Sequence, residues 1–131
     1  MVLVPTERNK ILILIADDEV NLLLLIKDNL EEYGYQVLTA VDGEEALDMA
    51  VSERPDLIIL DIEMPKLDGW QVCQKIRQNA EFKNMPILIL SAYVQARDIK
   101  RGIGLGANQY LTKPFKIREL LGILKELLHQ P

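Results

Sequence analysis

Apolar positions along the chain gather in five short runs, and between those runs apolar residues recur at helical spacing. After a polar lead-in, residues 1–10 with Pro5, the run Ile11 to Ile15 is uniformly apolar and rich in Ile. That predicts a strand buried on both faces, as in a parallel sheet. Asp17 or Asp18 can cap the helix that follows, with apolar positions Val20, Leu23, Leu24 and Leu30 and an end near Gly34. Tyr35 to Ala40 predicts a second strand. Asp42-Gly43-Glu44-Glu45 has capping-box spacing, and Ala46, Leu47, Ala50 and Val51 form one helical stripe that Pro55 closes.

Leu57 to Leu60 is a third buried strand, which delivers Asp61 to a loop marked by Met64-Pro65 and Asp68-Gly69. The next helix carries Val72, Cys73 and Ile76 inward, with Trp70 at its edge. Ile87 to Leu90 makes a fourth strand ending at Ser91. From Gln95 to Leu105 the helical pattern is weakest, because Gly102 and Gly104 each cost about 1 kcal/mol relative to Ala. This helix is expected to be mobile. Asn108 to Leu111 is a short fifth strand leading to Thr112-Lys113-Pro114, and Ile117, Leu120, Leu121, Leu124 and Leu127 give the last helix its stripe.

Strands alternating with helices call for right-handed crossovers between parallel strands. The expected fold is a doubly wound α/β domain over residues 11–131. It has a five-stranded parallel sheet in the flavodoxin-like order 2-1-3-4-5, with five helices distributed on both faces. In such sheets ligands sit beyond the carboxyl ends of the strands, where the strand order reverses. Asp17 and Asp18 follow the first strand, Asp61 the third, Ser91 the fourth and Lys113 the fifth.

Composition removes several function classes. The 131 residues suit one domain with a real core. A net charge of -5, from 15 basic and 20 acidic residues, argues against a broad nucleic-acid footprint and for no direct nucleic-acid partner. Cys73 is the only cysteine, which rules out an internal disulfide or a multi-cysteine metal site. It reads as a small buried apolar residue. The longest apolar runs are far too short to span a membrane, and Thr6-Glu7-Arg8-Asn9-Lys10 interrupts any secretory signal. A cytoplasmic location with no membrane partner is the default.

The chemistry follows from the strand order. Asp17, Asp18 and Asp61 converge on one edge, where three carboxylates repel, so either one stays protonated or a cation sits among them. Oxygen ligands that leave room for water and a phosphate suit Mg²⁺. Lys113 supplies a compact positive charge and Ser91 a hydroxyl, which together can hold an anionic oxygen. A phosphoryl group fits that arrangement, with Asp61 the best-placed nucleophile for an aspartyl phosphate.

Four motifs, in order, carry a resemblance: Ala16-Asp17-Asp18-Glu19; Leu60-Asp61-Ile62-Glu63-Met64-Pro65 with Asp68-Gly69; Leu90-Ser91-Ala92; and Gly106-Ala107 with Tyr110-Leu111 and Lys113-Pro114-Phe115. Over residues 10 to 129 the chain resembles the response regulator receiver domains, the CheY-like family of two-component signalling. The resemblance implies Asp61 as phosphoacceptor. It implies Mg²⁺ held directly by Asp18, mostly through water by Asp17, and by the Asp61 carboxylate and the Glu63 backbone carbonyl. Lys113 would bridge to Asp61 or its phosphoryl group, with a cis bond to Pro114. Ser91 would swing toward the phosphoryl group, and Tyr110 would change from an outward to an inward rotamer, although simple core packing of Tyr110 is the alternative. The implied catalysis is limited to self-phosphorylation and slow dephosphorylation, whose lifetime the Glu63 side chain is expected to influence.

The implied partners are a sensor histidine kinase or histidine phosphotransfer protein, and a downstream protein target or output domain, which these residues do not contain. His129 is the only histidine and reads as a terminal residue, so the chain is not its own relay. Leu22 to Ile26 is more apolar than an inward stripe needs, which makes Leu22 or Leu25 a candidate docking patch. Ile123 and Leu128 leave room for a homodimer through the last helices. Two rivals stand beside the receiver: a Mg²⁺-dependent phosphohydrolase of haloacid-dehalogenase type, which would carry Asp-x-Asp after the first strand rather than adjacent acids, and a non-phosphorylated pseudo-receiver used only for binding.

Overall fold

A computed structural model describes residues 10–128 of the chain. The first nine residues of the lead-in and His129 lie outside the described residues. The elements alternate as expected: β1 Leu12–Ala16, α1 Val20–Glu32, β2 Gln36–Ala40, α2 Gly43–Glu53, β3 Leu57–Leu60, α3 Gly69–Gln78, β4 Ile87–Ser91, α4 Ala96–Gly104, β5 Gln109–Thr112 and α5 Ile117–Leu128. A single 3₁₀ turn at Ala80–Phe82 links α3 to β4. The strands form one parallel sheet in the order β2-β1-β3-β4-β5. Every residue of β1, β3 and β4 is buried, which is why those runs are apolar throughout rather than alternating.

Two apolar layers flank the sheet. On one side Leu23, Ile26 and Leu30 of α1 and Leu120, Leu121, Leu124 and Leu127 of α5 pack on Ile13, Ile15, Leu57 and Ile59. On the other, Ala46 and Ala50 of α2 and Val72, Cys73 and Ile76 of α3 pack on Leu14, Ile58 and Leu60. Ile123 and Leu128 are partly buried against the α1/α5 layer, so they are less free for a partner than their excess over the stripe suggested. No helix among the described residues is long and apolar enough to cross a membrane.

Several details differ from the pattern-based expectation. Val20, Leu24 and Val51 face solvent, because Ile26 takes the inward position on α1 and two alanines suffice on α2. Trp70 is not at an edge: it is buried, and the guanidinium of Arg101 on α4 covers its ring at 4.5 Å from the centroid. The glycine at 102 is not merely a weakness. A Cβ there would stand 2.8 Å from Ile89 Cδ1 and 3.1 Å from the Tyr110 ring, so a side chain at 102 would have to displace those side-chain tips for α4 to lie this close to the sheet. Gly102 is also the one residue of α4 that is fully buried, and α4 is therefore thinly seated. Its start is held by reciprocal hydrogen bonds between Gln95 and Asp98.

Candidate functional site

The register of the sheet brings the acids together. Ala16 pairs with Leu60 across β1 and β3, so Asp17 and Asp61 are the next residues out on adjacent strands. Their backbones are tied in place: the Asp61 amide donates to the Ala16 carbonyl at 2.9 Å and the Asp17 amide to the Ala40 carbonyl at 3.1 Å. At the other side of the crevice the Lys113 amide donates to the Ser91 carbonyl at 2.8 Å, which carries the end of β5 beyond β4. The Lys113–Pro114 peptide is cis, in agreement with the sequence expectation.

Asp17, Asp18 and Asp61 each place a carboxylate oxygen so that all lie within 4.8 Å of one another. Asp17 and Asp61 are buried, and Asp18 is exposed. Both oxygens of Asp17 are engaged, one by the Glu19 amide at 2.9 Å and one by Lys113 Nζ at 2.9 Å. Lys113 Nζ also stands 3.6 Å from Asp61 Oδ2, while Asp61 Oδ1 accepts from the Ile62 amide at 2.8 Å. Burial, then the Asp17 charge, pushes the Asp61 carboxyl up from its ordinary 3.8 to about 6, against the pull of Lys113 and the Ile62 amide. Burial opposes the charge on Lys113, but the hydrogen bond to Asp17 and the Asp61 charge prevail and its pKa is raised. This is an all-oxygen, electron-rich pocket with one cation at its inner wall, chemistry that suits a hard metal ion and an anion between metal and ammonium.

The loop after β3 forms the outer rim. Asp68 caps α3 through a capping box with Gln71. Its neighbour Gly69 approaches so closely that a Cβ would lie 2.2 Å from the Asp61 carbonyl oxygen. An open depression of about 430 Å³ leads from Asp18 along Glu63, Met64 and Asp68 to Trp70 and Tyr93. Tyr93 is a residue that pattern reading missed, because nothing in its local sequence marks it. The neighbouring Glu63 carboxylate leads the effects that raise the pKa of its hydroxyl.

Ser91 and Tyr110 meet in the same place. Ser91 Oγ accepts from the Tyr93 amide at 3.0 Å, and the Tyr110 hydroxyl donates to the Tyr93 carbonyl at 2.7 Å. Burial pushes the Tyr110 hydroxyl above its usual range, with the nearby Ser91 hydroxyl working against it. Tyr93 thus ties the loop before α4 to Ser91 at the end of β4 and to Tyr110 of β5. The ring of Tyr110 is half-buried beneath Gly102. Beside the acidic pocket, a second groove of about 440 Å³ runs between α1 and the segment after β5, lined by Leu22, Leu25, Lys113, Phe115 and Ile117 among others. Leu25 is 54% exposed there, whereas Leu22 is half-buried against the α1/α5 layer.

The response regulator receiver domain model matches residues 13–125. The chain is 48% identical over 118 residues to the alkaline phosphatase synthesis transcriptional regulatory protein PhoP of Bacillus subtilis (strain 168), an alignment covering 90% of this chain and 48% of that protein. It is 43% identical over 118 residues to the DNA-binding dual master transcriptional regulator RpaA of Synechocystis, covering 90% and 49%. The chain spans about half the length of the curated relatives it matches. Among solved structures, the chemotaxis response regulator CheY4 of Vibrio cholerae superposes with a TM-score of 0.87 at 33% identity, covering 92% of this chain and 100% of that one. The Francisella response regulator 1452 receiver domain gives 0.86 at 35% identity, covering 91% and 97%.

Proposed function

The chain belongs to the response regulator receiver domain family, whose role is that of a phosphorylation-dependent signalling switch, and on that premise we propose that Asp61 is its phosphoacceptor. The observation that carries this reading is the Asp61 carboxylate, buried at the end of β3 between two other carboxylates and 3.6 Å from Lys113 Nζ. In the transfer, a carboxylate oxygen of Asp61 forms the new O–P bond as the N–P bond of a phosphohistidine breaks. The electron pair stays on the imidazole nitrogen, which then takes up a proton. The protein's catalysis is confined to this step and to hydrolysis of its own acyl phosphate, within a receiver unit over residues 11–131 behind the lead-in 1–10.

Asp17, Asp18, Asp61 and the Glu63 backbone carbonyl are the groups proposed to hold Mg²⁺. Asp18 is suited to direct ligation because it is exposed, whereas both oxygens of Asp17 already accept hydrogen bonds. When bound, Mg²⁺ offsets the mutual repulsion of the carboxylates and the charge of the incoming phosphoryl oxygens. Lys113 holds one phosphoryl oxygen. Ser91 turns its hydroxyl toward another and releases the Tyr93 amide, so that Tyr110, bonded to the Tyr93 carbonyl, and the start of α4 resettle.

The phosphodonor is a sensor histidine kinase or a histidine phosphotransfer protein, docking over the α1 groove beside Lys113, in the cytoplasm. The signal passes to a downstream protein target or an output domain. The relatives PhoP and RpaA are transcriptional regulators by name and RpaA is DNA-binding. The acidic balance of this chain keeps the receiver itself on the side of protein contacts. Incubation with acetyl phosphate and Mg²⁺ followed by intact mass tests the reading: one phosphate, absent from Asp61→Asn, is expected. Turnover of many equivalents without an adduct would point to a phosphohydrolase, and neither adduct nor turnover to a binding module.

A further inference from the structure

The loop between β3 and α3 is gripped at two points, and only one grip lies wholly within the four motifs of the family resemblance. The Gly69 amide donates to the Ile62 carbonyl at 2.8 Å, joining the end of the loop to its start. At mid-loop, Gly43 at the start of α2, a residue outside every motif, donates its amide to the Pro65 carbonyl at 3.2 Å. The approach is so close that a Cβ on Gly43 would lie 1.8 Å from the Leu67 carbonyl oxygen and 2.6 Å from its carbonyl carbon. Those atoms are backbone, so any side chain at 43 must drive the loop outward. The seam is reinforced beside it: Lys66 Nζ stands 3.6 Å from Asp42 Oδ2, and Lys66 itself is held at a φ of 72°, a conformation that a non-glycine residue keeps only when its surroundings impose it.

We propose that Gly43 is a positioning residue for the phosphoacceptor site: by letting α2 close on Pro65 and Leu67, it sets where the backbone of Glu63 stands relative to Asp18 and Asp61. The link is short, since Glu63, Met64 and Pro65 are consecutive and line the same depression as Asp18. This rests on the proposed Mg²⁺ site, in which the Glu63 carbonyl is a ligand. A group that orients a ligand without touching the metal changes affinity as strongly as many direct contacts do.

The test is Mg²⁺ titration of the otherwise unmodified chain, read from the emission of Trp70, the single tryptophan, which lines the depression. Gly43→Ala is expected to weaken Mg²⁺ binding about tenfold. Gly104→Ala, where a Cβ meets nothing within 4 Å, should leave it unchanged. A folded Gly43→Ala variant that binds Mg²⁺ as the wild type does overturns the proposal. Should that variant not fold, the wild type decides through reciprocity: if Gly43 supports the metal site, Mg²⁺ must in turn slow amide exchange at Gly43, and exchange there that saturating Mg²⁺ does not alter overturns it equally. A wild type that neither binds Mg²⁺ nor takes a phosphate at Asp61 removes the underlying site reading and this inference with it. A wild type that does both, with Gly43 indifferent, removes only the inference.

Discussion

Asp61→Asn removes one charge from the acidic pocket while keeping the size of the side chain and an oxygen for the Ile62 amide to donate to. Burial and the Asp17 charge raise the Asp61 carboxyl from 3.8 to about 6 in the folded chain. The folded state therefore holds this proton more tightly than the unfolded state, and stability falls as pH rises through that window. Nothing is lost below the unfolded value, and the whole penalty is present above the folded one. Two pH units at about 1.4 kcal/mol each give about 3 kcal/mol, which screening by water reaching the open pocket reduces to about 1–2 kcal/mol. The neutral amide of the Asp61→Asn variant carries none of that penalty. In metal-free buffer, urea melts should show Asp61→Asn more stable than wild type by about 1–2 kcal/mol near pH 7.5, with the gain shrinking through pH 6 and gone by about pH 4. Comparing the two proteins at each pH cancels the titration of the groups they share. Adding Mg²⁺ should then favour the wild type, because the variant has lost one of the proposed ligands. A variant less stable near neutrality, or a difference that does not change with pH, would refute the electrostatic account of the pocket.

Arg77 on α3 donates to the Gly106 and Phe82 carbonyls and to Asn108 Oδ1, each at 2.9 Å. Arg77→Ala should cost about 3 kcal/mol in urea melts, and Arg77→Lys should recover less than half, because an ammonium cannot span all these acceptors. Arg101→Ala should change global stability by less than about 1 kcal/mol yet quicken amide exchange in α4 and shift the emission of Trp70; unchanged emission would count against the stacking. Glu63→Ala should speed phosphorylation by anionic small donors, since it removes a carboxylate from the mouth of the pocket, and equal rates by intact mass would dismiss that role. Leu25→Asp should slow transfer from a cognate phosphohistidine protein while leaving acetyl phosphate uptake unchanged; slowing with both donors would place Leu25 in the fold rather than in docking.

The sheet and the convergence of Asp17, Asp18, Asp61, Ser91 and Lys113 were legible in the sequence because they depend on topology alone. Uniform apolar runs such as Ile11 to Ile15, Leu57 to Leu60 and Ile87 to Leu90, short, rich in Ile and bounded by polar or turn residues, read as strands covered on both faces. Once their order is fixed, the residues just past their carboxyl ends must meet. Helix faces were less legible. Leu22 to Ile26 offers more apolar residues than a stripe can use, and periodicity does not say that Ile26 turns in while Leu24 turns out. Trp70 was misplaced because its cover comes from Arg101, a contact between two helices with no local mark. Arg77 lies one turn beyond Cys73 on the inward side of α3, a signal that could have raised the question, but its acceptors are backbone groups that no motif displays. Gly43 was hidden in the same way, since capping-box spacing accounts for Asp42 and Glu45 without asking what passes above the glycine.

The distribution of burial also decides where a signal from the pocket can be felt. Shifting a two-state element from 1:99 to 99:1 takes about 5.5 kcal/mol. On the α1/α5 side, seven leucine and isoleucine side chains of those helices lock into the sheet, and prising even one free costs about 2 kcal/mol or more. Helix α4 buries one glycine, is stacked through the exposed Arg101, and meets the pocket through Tyr110 and the loop that carries Tyr93. Elements with few buried apolar contacts open at the lowest free energy. In the proposed switch Ser91 leaves the Tyr93 amide for a phosphoryl oxygen, so the loop before α4 loses a tie as the phosphoryl group gains a charge-assisted one, each worth about 1–3 kcal/mol. Such exchanges fall well short of what α1 or α5 resists, so the proposed response is expected on the β4–α4–β5 side of the fold, where α4 is the most thinly seated helix.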